Sequence, residues 1–167
     1  MQTLTVTKPR VTEGSLVRAH AEAIELSEPV LWNTRIFADD RGWSLMNQMQ
    51  GVLGADGQVN FSCQYPGVVK AWHRHALQTD FWLCCTGHIK AGVHCRDRDL
   101  SWSVVLGEKN PCVLVIPPGL WHGAATVGHT PAGLLYYVTH AYNAHNPDEE
   151  RLAHDAVPDF PWSVQHG

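Results

Sequence analysis

The sequence has no surplus of positive charge. Twelve lysines and arginines stand against sixteen aspartates and glutamates, for a net charge of -4. That leaves nothing to neutralise a phosphate backbone or an anionic bilayer, so nucleic acid and membrane surfaces are set aside as partners. Long apolar runs are also missing. No stretch approaches the roughly 18 apolar residues of a membrane-spanning helix. The N-terminus (MQTLTVTKPR) has no apolar run after its first charges, and a cytoplasmic protein is expected. The five cysteines (Cys63, Cys84, Cys85, Cys95, Cys112) form an odd set without Cys-x-x-Cys spacing. This argues against a disulfide framework and for reduced, partly buried thiols. Adjacent Cys84 and Cys85 would point to opposite faces of a strand. No Gly-x-Ser-x-Gly elbow, phosphate-binding glycine loop, dinucleotide glycine motif or zinc-finger spacing occurs, which removes several common enzyme classes.

Charged residues are few, 17% against 44% hydrophobic in 167 residues, and there are eleven histidines. The low charge excludes disorder and the length fits one compact domain. Residues 1–25 are polar and weakly patterned and read as an N-terminal arm, with at most one or two helical turns starting at Ser15. Residues 26–167 read as a single domain. There, short runs rich in Val, Leu, Trp, Phe and Tyr alternate with Gly, Pro and Asp clusters, the pattern of an all-β sandwich or barrel. The clearest predicted strands are 68–75, 80–85, 89–95, 113–116 and 134–142. One short C-terminal helical turn is predicted at 146–151, where Asn146 can cap, Pro147 starts the turn and Asp148, Glu149 and Glu150 follow.

The chemistry concentrates in Gly67-Val-Val-Lys-Ala-Trp-His73-Arg-His75-Ala-Leu-Gln-Thr-Asp80. An isolated His-x-His pair arises by chance about once in a chain this rich in histidine, so the surroundings decide. On a strand, residues two apart share a face, so His73 and His75 project together. A turn at 77–79 then opens a neighbouring strand whose first residue, Asp80, can lie across from them. A second segment, Pro117-Pro118-Gly119-Leu120-Trp121-His122-Gly123, sets a histidine just after a rigid turn. These two stretches resemble the paired signatures of cupins, with Asp80 in place of the usual glutamate, and imply a double-stranded β-helix, or jelly roll. Three imidazoles and a carboxylate suit a divalent transition metal (Fe, Zn, Ni or Mn) at His73, His75, Asp80 and His122. The plainer alternative is that the histidines are hydrogen bonders lining a pocket and that Asp80 caps its turn.

Among the other histidines, His88 and His94 share a strand face with Lys90 and are expected to face solvent. His140 shares parity with Tyr136, Val138 and Tyr142, which would line one strand face or simply pack in the core. Trp72, Trp82 and Trp121 flank the motif residues, and an indole-walled pocket suits sugars or planar rings.

From about residue 26 to 162 the chain also resembles the dTDP-4-dehydrorhamnose 3,5-epimerase family. The resemblance is carried by Phe37-Ala-Asp-Asp-Arg41-Gly-Trp43, Gln58-Val-Asn60-Phe-Ser62, Gly67-Val-Val-Lys-Ala-Trp-His73, Ile116-Pro-Pro-Gly-Leu-Trp-His122-Gly123 and Leu135-Tyr136-Tyr137-Val-Thr-His-Ala-Tyr142. It implies a homodimeric jelly roll that inverts sugar carbons next to a ketone. A general base is implied at His73 and an acid on the opposite sugar face at Tyr136 or Tyr142. The nucleotide-linked sugar would lie against Arg41, Gln58, Asn60 and Lys70. Trp72, from the indole wall, and His140, from its strand face, are added as candidate substrate contacts on the reading of the residues alone. Two departures stand out. Asp80 aligns with the family's enolate-stabilising lysine, and the family's downstream aspartate that pairs with the base has no counterpart. At about 4 Å and an effective dielectric near 20 a unit charge is worth about 4 kcal/mol, so this change of sign matters.

Four functions follow as expectations. The first is a metal-dependent cupin that enolises, isomerises or epimerises a keto-sugar or similar oxygenated small molecule. The second is a metal-free nucleotide-sugar 3,5-epimerase with His73 as base. An iron(II)-dependent dioxygenase and a non-catalytic sugar-binding cupin complete the set.

Overall fold

The structure, a computed structural model, describes residues 4–164. It is all-β with one helix, as expected for a cupin jelly roll. One six-stranded sheet runs β1 (Val6–Thr7), β10 (Leu100–Gly107), β9 (His88–Cys95), β12 (Trp121–Val127), β7 (Val69–Arg74), β14 (Glu150–Arg151). The facing sheet runs β2 (Arg10–Thr12), β3 (Val30–Asn33), β11 (Cys112–Ile116), β8 (Asp80–Thr86), β13 (Ala132–Val138), β6 (Gln58–Gln64). A separate hairpin pairs β4 (Ile36–Asp39) with β5 (Gly42–Leu45).

Strand alternation accounts for the layering. On β8, Trp82 and Cys84 point between the sheets with Ile89, Leu106, Leu114 and Ile116, while Phe81 and Leu83 face outward. That outer face is also buried, because helix α1 (Leu16–Leu26) lies on it through Leu16, Ala19 and Ala23. Burial on both faces is why β8 and β11 read as continuous apolar runs. Cys84 and Cys85 do lie on opposite sides of β8, and all five thiols are free.

Helix α1 is longer than the one or two turns expected. Ser15 caps it, its side chain accepting from the Arg18 amide at 3.2 Å, and the last turn ends at Ser27 in the left-handed region. Propensity alone would leave so short a helix marginal. Packing of its small alanines on Val30, Phe81, Val113 and Val115 supplies the rest. In its described residues the stretch 1–25 thus contributes strands to both sheets and a helix to the core. Residues 1–3 and 165–167 lie outside the described residues.

Three local expectations are corrected. The 146–151 segment is not helical: Glu150 and Arg151 pair with Arg74 and His73 as strand β14. The Asp148 carboxylate, read as part of an acidic first turn, is taken by amides of residues 76–78. Predicted strand 134–142 stops at Val138, where Thr139 turns to bond Thr79. His94 is buried rather than solvated, because the tail carrying Phe160 and Trp162 packs with Trp72 over that face. Among the described residues, no helix is long and apolar enough to cross a membrane.

Candidate active site

The site lies at one end of the sandwich, where the two sheets contribute opposing walls. His73 on β7 sits directly across from His122 on β12, their ring centroids 4.1 Å apart. His75, just past the end of β7, completes the imidazole group at 5.4 Å from His73 and 5.5 Å from His122. Asp80 arrives from the other sheet as the first residue of β8. One ligand atom from each of the four lies within 4.8 Å of every other. The His-x-His pair, the turn and the strand-opening acid therefore converge as their spacing suggested.

A β-bulge shapes this convergence. Between His122 and Ala124 the β12–β7 register slips, so that Ala124 pairs with Lys70. Such bulges re-aim side chains next to active sites. Gly123 lies at the slip, where an added Cβ would come within 2.4 Å of Ala71 Cβ and 2.6 Å of the Lys70 carbonyl. Only glycine lets the strands approach this closely.

The hydrogen bonds orient each group. His122 Nδ1 donates to the Leu120 carbonyl at 2.9 Å and His75 Nδ1 donates to the Asp148 carbonyl. Gln78 Nε2 donates to Asp80 Oδ1 at 2.8 Å, and the Trp82 indole donates to Asp80 Oδ2 at 3.1 Å. His122 Nε2 is fully buried without a hydrogen-bond partner and faces Asp80 Oδ2 at 3.5 Å. Two acceptors in that relation repel unless a proton or a cation lies between them.

Burial pushes the His73 pKa down to about 2, helped by His122 and opposed by Asp80. Burial alone would raise Asp80, but the neighbouring His122, His75 and Gln78 bring it down to about 2. Tyr136 is raised by burial, Asp80 and Glu149, so its hydroxyl keeps its proton. A neutral His73 beside an ionised Asp80 is in the protonation state a divalent metal requires of both. Each of His75 and His122 also donates its other ring nitrogen to a backbone carbonyl, as metal-ligating histidines do. The residues fit a metal.

Above this group opens a cavity of about 720 Å³. It is lined by Gln58, Asn60, Lys70, Tyr136 and Tyr142, as expected, and by Ser62, Gln78, Glu149 and Arg151, which sequence reading missed. Glu149 and Arg151 were hidden inside the helix signal, where no strand alternation could be read. Lys70 Nζ donates to Ser62 Oγ at 3.1 Å, and Arg151 pairs with Glu149. Tyr142 is exposed and lies past the end of β13, its amide bonded to Gln58 Oε1 at 3.1 Å. Two expected substrate contacts fall elsewhere. Arg41 is exposed on the β4–β5 hairpin and paired with Asp39. His140 lies off the strand, bonded to Thr139 and outside the cavity lining. Trp72 does contribute to the cavity lining, although its ring points away from His73, as alternation requires, into the cluster of Trp121, Val157 and Phe160.

No family model matches the chain. It is 35% identical over 136 residues to the spore coat polysaccharide biosynthesis protein SpsL of Bacillus subtilis (strain 168), spanning 77% of this chain and 90% of that one. A dTDP sugar isomerase of Desulfovibrio desulfuricans G20 superposes with a TM-score of 0.70 at 28% identity, over 80% of this chain and 90% of that one. The chain belongs to the dTDP-4-dehydrorhamnose 3,5-epimerase-like family of cupins. Over 57% of its length it is also 41% identical to the probable low-salt glycan biosynthesis epimerase Agl13 of Haloferax volcanii, covering 65% of that protein.

Proposed function

We propose that this epimerase-like enzyme of carbohydrate biosynthesis acts on a nucleotide-linked keto-sugar. It inverts a carbon beside the ketone through proton exchange. His73 takes the proton as the C–H electron pair moves into the carbonyl to form an enolate, and Tyr136 returns a proton to the opposite face of the same carbon. The observation that carries this reading is the placement of His73 and Tyr136 on opposing sheets around one sugar-sized cavity. Burial leaves His73 unprotonated and Tyr136 protonated, the states from which a base and an acid start. Lys70 and Arg151 are the cations that line the cavity and suit the anionic diphosphate of such a substrate. Incubation with a dTDP-linked 4-keto sugar in deuterium oxide tests the proposal. We expect label next to the carbonyl, lost at least about a hundredfold in His73→Ala. Undiminished exchange in that variant rejects His73 as base.

A second reading is favoured by the unpartnered His122 Nε2 facing Asp80. In it, His73, His75, Asp80 and His122 hold a divalent transition metal. The ion would supply, beside the substrate carbonyl, the positive charge that the family's lysine provides and Asp80 removes. His73 is then a ligand and proton transfer falls to Tyr136 or Tyr142. Elemental analysis of untagged protein separates the two readings: near-stoichiometric metal that disappears in His75→Ala and Asp80→Ala supports the second, and none after reconstitution leaves His73 as base. Protein of this kind is proposed to work as a cytoplasmic homodimer.

A further inference from the structure

We propose that Asp148 is a positioning residue that makes completion of the site depend on docking of the C-terminal strap, residues 148–152. Its carboxylate gathers three consecutive amides of the β7–β8 turn. Oδ1 accepts from Ala76 at 2.7 Å, and Oδ2 accepts from Leu77 at 2.9 Å and Gln78 at 3.2 Å. Consecutive amides turned toward one anion form a strong, charge-assisted knot, and here the anion is supplied by the chain itself. The same residue's carbonyl accepts from His75 Nδ1. A carbonyl cannot donate, so this contact places the proton of neutral His75 on Nδ1 and leaves Nε2 bare. Gln78, the third member of the knot, carries the effect onward by donating its side chain to Asp80 Oδ1 at 2.8 Å.

One strap residue thus fixes the tautomer of His75 and, through the turn, the carboxylate of Asp80. The strap also brings Glu149 and Arg151 into the cavity wall. Its other attachments are the two-residue pairing of β14 with β7, the backbone pair between Leu152 and Trp72, the packing of Leu152 against the Trp72–Trp121 cluster, and the Arg74–Glu150 ion pair with bonds of 3.0 Å. Of its five residues Glu150 and Arg151 are exposed and the other three half-buried, and short peripheral segments of this kind open without unfolding the core. Anything that binds the assembled cavity must therefore favour the docked strap, and by reciprocity a loosened strap must weaken binding.

The inference rests on the cavity being the active site, but its primary test needs no substrate. Long-range proton–nitrogen NMR of the histidine rings reads the tautomer of His75 directly, and amide hydrogen exchange reads docking of the strap. In the native protein we expect His75 protonated on Nδ1 and slow exchange at Leu152. In Asp148→Ala we expect a mixed His75 tautomer and exchange at Leu152 at least tenfold faster, with β8 and β11 amides unchanged. Glu150→Ala loosens the strap without touching the turn and should give a smaller shift in the same direction, which keeps the test valid if Asp148→Ala does not fold. A His75 tautomer and strap exchange unchanged in both variants overturns the proposal. In the deuterium-exchange assay, Asp148→Ala should lower kcat about tenfold or more. If native protein shows no sugar exchange, the functional reading fails while the NMR result still decides the role of Asp148.

Discussion

His20 and His94 occupy parts of the molecule that pattern reading left bland, yet both are held below the usual histidine pKa by burial. His20 lies edge-on to Phe81 with its Nε2 at 3.2 Å from Thr79 Oγ1, and His94 Nδ1 meets Ser101 Oγ at 2.9 Å. Like His73, they take up a proton at lower pH when folded than when unfolded, where the ordinary value is 6.5. Between the folded and unfolded values the unfolded chain binds more protons, so stability is fully present above about pH 6.5 and falls as pH drops below it. Urea midpoints measured at pH 8 and pH 5.5 should show that decline, with a smaller drop in His20→Gln and His94→Gln. An equal drop in both variants would assign the pH dependence to other groups.

Strands β7 and β12 carry the histidines, and their bulge is an element-scale property that no single side chain reveals. Gly123→Ala would drive a methyl into the Lys70 carbonyl and Ala71 of the neighbouring strand, and backbone cannot yield as a flexible side chain can. We expect a loss of about 1–3 kcal/mol from overpacking, measured by denaturant unfolding. Crystallography of the variant should show His73 and His122 displaced from one another. Full stability with the pair in place would show that the register slip does not need glycine. The C-terminal strap teaches a related lesson: Glu150 turns outward to Arg74 while Glu149 and Arg151 line the cavity, an alternation visible only once the segment is known to be a strand.

For the whole molecule, the surface left uncovered is as informative as the core. Strand β6 is the open edge of its sheet and displays Val59 and Phe61, 55% and 64% exposed. Phe37 and Trp43 on the β4–β5 hairpin are also exposed. Uncovered apolar edges invite pairing with another chain, and a second copy gives closed twofold symmetry. Light scattering after size exclusion should report a dimer, and Phe61→Glu should convert it to monomer. A native monomer at micromolar concentration would remove the homodimer from the proposal.

The sequence by itself determined the all-β class, the main strands 68–75, 80–85 and 113–116, and the gathering of His73, His75, Asp80 and His122. Each of these rests on local rules: period-two alternation, turn residues and fixed motif spacing. Only the tertiary structure decided the rest. Residues 146–151 carry every local mark of a helix start, but the Asp148 carboxylate is taken by three amides of a distant turn instead of serving a first helical turn of its own chain. Arg41 and His140 lie outside the cavity and Glu149 and Arg151 within it, because a cavity wall is set by which segments meet, and strand pairing across some 75 residues leaves no trace in local pattern. His94 is dry for the same reason: parity fixed its face, and a tail more than sixty residues away decided that this face would be covered.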